Sequence, residues 1–159
     1  ALKAREADEA EPEKLPAEQG YSELVAAGTE AFESNKYHRA HEDILKARPM
    51  APGVEARIQC EIMAARCLIH LKKTSEALTM LQEAGENENL ADNERKEILY
   101  RMAEAYERSG QTARAAEVLD ELNRDFGAYR DSDSRVNRLR QRQGDAGADR
   151  KRESRISFI

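Results

Sequence analysis

Two histidines, His38 and His41, stand three residues apart with Glu42 beside them in the stretch YHRAHED (37–43). On a helix these imidazoles would share a face, which is how a helix offers two ligands to a divalent metal. A tetrahedral site needs a third and a fourth donor, and nothing in the sequence supplies them at ligand spacing. The pair therefore reads as solvated surface, and no metal is expected. Cys60 and Cys67 lie seven residues apart. On a helix they would be ~10 Å apart along one face, beyond the Cα limit of ~7 Å for a disulfide. They read as small buried hydrophobes, and a reducing cytoplasm is the expected location. No Gly-rich phosphate loop, nucleophile elbow or spaced acid pair is present, so no cofactor and no enzymatic activity are expected.

The remaining chemistry is that of charge. The chain has 159 residues, a formal net charge of −5 and 36% charged side chains. Residues 1–20 hold three basic and six acidic groups, whereas residues 130–159 hold nine basic and five acidic. An acidic middle repels phosphates, so nucleic acid could meet only the basic end, at Arg135, Arg138, Arg140, Arg142, Arg150, Lys151, Arg152 and Arg155. No aromatic residues are interleaved there to stack bases, and nucleic acid is an unfavoured partner. No apolar run approaches the ~18 residues of a membrane span, and no basic-then-apolar signal pattern opens the chain.

The elements that position these residues come from an internal repeat. The blocks NKYHRAHEDILKA (35–47), KKTSEALTMLQEA (72–84) and GQTARAAEVLDEL (110–122) place Ala40, Ala77 and Ala115 in register, followed four residues later by Ile44, Leu81 and Leu119. Each block reads as a turn entering an amphipathic helix, and another helical stripe precedes each. The unit is a helix pair. Small residues suit the crossing points of such a pair, and Gly28 with Ala40, Ala65 with Ala77, and Ala103 with Ala115 are assigned to them. One pair cannot bury its own apolar face, so three are expected to stack. The opening stretch 1–20, with two prolines and many charges, reads as a disordered acidic tail or linker. Residues 131–143 read as a helix capping the stack, with Val136 and Leu139 on one stripe, and 144–159 as a flexible basic tail with an apolar end.

This repeat resembles the tetratricopeptide repeat (TPR). The first unit matches through Leu24, Gly28, Tyr37, Ala40, Ala47 and Pro52, the second through Ala65, Leu68, Ala77, Leu81 and Ala84, and the third through Leu99, Ala103, Tyr106, Gly110 and Ala115. The resemblance covers residues 21–129, in units of about 21–52, 54–90 and 92–127. It implies an all-α, right-handed α-solenoid of three TPR-like helix pairs plus a C-terminal capping helix. It also implies a concave peptide-binding groove lined by the first helix of each pair, with Val25, Thr29, Phe32, Ile62, Met63, Arg66, Ile69, His70, Tyr100, Arg101 and Glu104 facing inward. Some TPR domains clamp the acidic tails of heat-shock chaperones with Lys, Asn and Arg. At the corresponding positions here stand Val25, Thr29, Met63, Glu97 and Arg101, of which only Arg101 fits.

The expected function is a non-enzymatic protein–protein interaction adaptor or scaffold whose partner is another protein or peptide. The terminal residues Ile156, Ser157, Phe158 and Ile159 form a second recognition or self-docking element, since alternation would set Ile156 and Phe158 on one side of a strand. A regulatory or assembly-chaperone subunit of an enzyme complex is the alternative, and weak nucleic-acid binding by the basic end the third.

Overall fold

The computed structural model describes residues 16–156, with side chains over 17–153. Seven α-helices follow in order: α1 (Pro16–Glu33), α2 (Tyr37–Ala47), α3 (Val54–His70), α4 (Thr74–Gly85), α5 (Asp92–Arg108), α6 (Thr112–Phe126) and α7 (Ser132–Ile156), with a single 3₁₀ turn, Arg48–Met50, after α2. The helices pair as α1 with α2, α3 with α4 and α5 with α6. Each pair packs on the next, and α7 packs on α6. The architecture is the helix-pair solenoid.

The turn inside each pair has one construction. Asn35, Lys72 and Gly110 all adopt positive φ, at 59°, 63° and 78°. At each turn the residue after it sends its N–H five residues back, Lys36 to Ala31, Lys73 to Leu68 and Gln111 to Tyr106, at 2.8–2.9 Å. The positive-φ residue itself bonds three back, to Phe32, Ile69 and Glu107. This is the Schellman arrangement, which satisfies the last carbonyls of the first helix and reverses the chain at once. Gly and Asn tolerate the left-handed region, whereas a lysine there is strained by roughly 1 kcal/mol. Lys72→Gly is accordingly expected to stabilise the fold by about 0.5–1 kcal/mol, read as a rise in urea midpoint with unchanged slope.

Beyond the turns, small residues set the helix separation. Ala40, Ala77 and Ala115 are fully buried, as are Ala65 and Ala103 opposite the latter two. A Cβ on Gly28 would come within 2.8 Å of the Ile44 side chain and 3.4 Å of the Ala40 carbonyl, so α1 and α2 pack at a distance only glycine permits. Ile44, Leu81 and Leu119, one turn after the alanines, fill the core of each pair. Cys60 and Cys67 are free and buried, and burial pushes the Cys67 thiol up to about 11, which keeps it unreactive.

Two boundaries differ from the sequence reading. Helix α1 runs Pro16–Glu33 within the described residues, so it already includes residues 16–20, ahead of the Tyr21 where the helical pattern was expected to begin. Helix α7 does not stop at Gln143 but continues to Ile156, through the stretch read as a flexible tail. Gly144 and Gly147 made that stretch look like a linker. Each costs roughly 1 kcal/mol relative to alanine, but Ala146, Ala148, Arg150, Lys151 and Arg152 are strong helix formers. Residues 140–153 are exposed all round, so this part of α7 projects from the stack. Ile156, expected to lie with Phe158 on one side of a strand, is instead the last residue of α7, because the helix formers before it carry the helix through; Ser157, Phe158 and Ile159 lie outside the described residues.

Candidate functional site

Helices α1, α3 and α5 contribute to one cleft of about 460 Å³. From α1 come Tyr21, Val25 and Thr29, from α3 Gln59, Met63 and Arg66, and from α5 Asn93 and Glu97. Tyr129 and Arg130, in the loop between α6 and α7, close its far end. Its lining grades from apolar at Tyr21, Val25 and Met63 to charged at Arg66, Glu97 and Arg130.

That far end is built by the loop lying on α5. Ser132 is fully buried, and its hydroxyl donates to Asn123 while accepting the Tyr129 N–H at 2.9 Å. Fixed this way, Tyr129 donates its hydroxyl to Glu97 at 2.7 Å, and Tyr100 donates to Asp131 at 2.7 Å. Arg130, itself at positive φ, pairs with Glu97 at 2.9 Å. Arg101 reaches both Glu97 and Glu104 at 2.8 Å, and Arg108 also pairs with Glu104. Burial alone would raise the Glu97 carboxyl, but the Tyr129 hydroxyl and the cations Arg101 and Arg130 hold it below its ordinary value.

The sequence-assigned groove residues separate into four groups. Val25, Thr29, Met63 and Arg66 line the cleft. Ile62 borders it but is almost wholly buried, and Ile69 is fully buried in the core with Ile58, Leu81 and Ile98. Ile69 is thus corrected from groove to core: α3 is covered by α4 as well as α5, so its apolar stripe is wider than one face. Tyr100, Arg101 and Glu104 are engaged by the loop and by one another. Tyr21, Asn93, Tyr129 and Arg130 were not anticipated in the cleft, because the last two come from a loop whose path no periodicity reports.

Phe32 and His70 form a separate aromatic group. His70 stacks on Tyr37 with ring centroids 4.3 Å apart and planes 9° from parallel, and Phe32 meets both edge-on at 5.3 Å. Burial, then Arg108, lowers the His70 basicity, and burial with Lys73 does the same for His41. His41 is half-buried with an unpartnered Nε2, unlike the exposed His38, so only one of the two histidines is the solvated residue expected. A histidine harder to protonate folded than unfolded loses stability as pH falls below its unfolded value near 6.5 and on through the depressed value. Between pH 7.5 and 5.5 the wild type should therefore lose more unfolding free energy than the double variant His41→Gln, His70→Gln. Equal losses would show that other groups carry the acid sensitivity.

Residues 97–127 match the family model described as a tetratricopeptide repeat. The third helix pair is a tetratricopeptide repeat. Solved structures extend the likeness to the whole stack. The Hsp90 co-chaperone Cns1 from Saccharomyces cerevisiae superposes with a TM-score of 0.78 at 12% identity, over 91% of this chain and 46% of that one. The chain thus spans about half the length of that TPR-fold neighbour. The N-terminal domain of stress-induced protein-1 (STI-1) from C. elegans gives 0.63 at 15% identity, over 80% of this chain and 99% of that one. A TPR-like protein from Chlorobium tepidum gives 0.60 at 16%, over 82% and 96%. At these identities the likeness establishes the TPR fold. Comparison with curated proteins found no sequence match. Among the described residues no helix is long and apolar enough to cross a membrane.

Proposed function

We propose that this TPR chain is a protein-interaction adaptor or scaffold, without catalytic activity of its own, that holds a peptide segment of another protein in the cleft between α1, α3 and α5. The observation that carries the reading is the cleft itself: an open surface on the first helices of the pairs, with apolar anchors at Val25 and Met63 next to hydrogen-bonding groups at Gln59 and Asn93. Such a mixture suits a peptide whose side chains are read in pockets. Two of the structural neighbours are a co-chaperone and a domain of a stress-induced protein, which fits an adaptor working in a reducing cytoplasm. The cleft is not arranged for a chaperone-tail clamp, because Arg101 is already enclosed by Glu97 and Glu104.

The nucleic-acid reading is weakened by the pairing of the basic end, where Arg135, Arg138 and Arg140 bind Glu107, Asp131 and Asp120. The proposed docking of the terminal residues is directed at another molecule rather than at the chain's own cleft. An intact α7 carries Ile156 ~36 Å from Ser132, which stands beside the cleft.

The test is to pan a randomised library of 12-residue peptides on the full chain and on Met63→Lys, with circular dichroism confirming that both are helical. Peptides selected by the wild type should lose at least tenfold in affinity for the variant. No selected peptide, or selected peptides that ignore the variant, would refute the cleft as the binding face.

A further inference from the structure

Arg66 lies in the cleft in an unusual state. Its guanidinium sits 4.5 Å from the centroid of the Phe32 ring, and one Nη contacts the Met63 sulfur at 3.5 Å. It makes no ion pair among the described residues, and its buried Nε has no acceptor. A guanidinium presents five N–H donors, and a thioether is a weak acceptor for one of them. The neighbouring arginines differ in being matched: Arg101 by Glu97 and Glu104, Arg108 by Glu104, Arg130 by Glu97 and Arg135 by Glu107. A half-buried cation without a hydrogen-bonding anion is destabilising where it stands, and the cation–π contact with Phe32 offsets only part of that.

Resting on the cleft as the peptide site, we propose that Arg66 is the specificity residue of the groove and that it selects a peptide carrying an Asp or Glu side chain beside an apolar residue. The Phe32 ring lies against the guanidinium carbon and Nε is buried, so the terminal Nη atoms, one of them held only by the weak Met63 acceptor, are left to donate to a carboxylate. The neighbouring apolar residue would rest on Val25 and Met63. The neighbouring cations Arg101 and Arg130 are already paired with Glu97 and Glu104, so Arg66 alone is left to be matched, and a single carboxylate complements it better than the near-dianion of a phosphorylated residue. The ligand carboxylate is a side chain held at Arg66, one turn of α3 beyond Met63.

Two variants and the library peptides decide it. The selected 12-residue peptides should share an Asp or Glu at a fixed distance from an apolar residue. Changing that acid to its amide should weaken binding to the full chain at least tenfold, measured by fluorescence anisotropy. Arg66→Gln should weaken the acidic peptide by a similar factor and erase the difference between acid and amide, and Arg66→Lys should restore part of it. Without peptide, Arg66→Gln should unfold at the same or a higher urea midpoint than the wild type, because the cation it removes has no partner. Peptides that bind in a Met63-dependent way but lack an acidic residue, or that bind Arg66→Gln unchanged, would overturn this assignment and leave the groove reading standing. A failure to select any Met63-dependent peptide would overturn both. Selection of phosphopeptides over their Glu counterparts would replace the carboxylate by a phosphate and also overturn the proposal.

Discussion

Leu119→Ala should lower the unfolding free energy by about 2–5 kcal/mol. Leu119 is fully buried on α6, one turn after the crossing residue Ala115, and packs in a cluster with Ala103, Tyr106, Leu122, Val136 and Leu139. It therefore joins three helices, α5, α6 and α7. Truncation removes transfer free energy and leaves a cavity that the neighbours fill only in part, because Ala103 and Ala115 already bring α5 and α6 as near as backbones allow. In a stack stabilised by neighbouring interfaces, the loss should be local to the C-terminal pair. Hydrogen exchange should rise first in α5 to α7 while α1 and α2 keep their protection. A loss below 1 kcal/mol, or exchange rising evenly along the chain, would contradict the packing described here.

The second large effect is expected at Arg101. Its side chain is only 12% exposed and holds two carboxylates that are 15–16% exposed. Removing one partner from a fully buried pair costs about 3–5 kcal/mol, but here Glu97 keeps Arg130 and Tyr129, and Glu104 keeps Arg108. Arg101→Gln should accordingly cost about 1–3 kcal/mol at pH 7. The pH dependence gives the sign. Glu97 is held below its ordinary value, so its pairing contributes stability above the unfolded carboxylate range and loses it as pH falls through the depressed value. The gap between variant and wild type should shrink on acidification through that range, as measured by urea unfolding at pH 7 and pH 4. A gap that widened would mean that the carboxylates, once freed of Arg101, are better solvated than in the native network.

Much of this fold is visible in the residue pattern because the repeat is enforced by sterics. Only Gly or Ala can stand where paired helices touch, and Gly28, Ala40, Ala77 and Ala115 do so at spacings the eye can align. The turn blocks beginning at Asn35, Lys72 and Gly110 coincide with the left-handed residue of the turn inside each pair, although the lysine hides its role by breaking the usual chemistry. What escaped was non-local or composite. The length of α7 was masked by two glycines whose cost the surrounding helix formers outweigh. Tyr129 and Arg130 reach Glu97 across more than 30 residues of chain, and no periodic signal reports where a loop lies. Ile69 shares its stripe with true cleft residues because α3 is covered on two sides, and only the packing distinguishes them.

The central claim is that the first helices of the stack form the recognition face. Its most direct test is chemical-shift mapping of the isotopically labelled full chain with a peptide selected from the library. The largest shifts should fall on Val25, Thr29, Met63, the Arg66 side chain and Tyr129. Shifts centred instead on the second crevice, lined by Leu81, Leu90, Met102 and Phe126 between α4 and α6, or along the exposed length of α7, would contradict it.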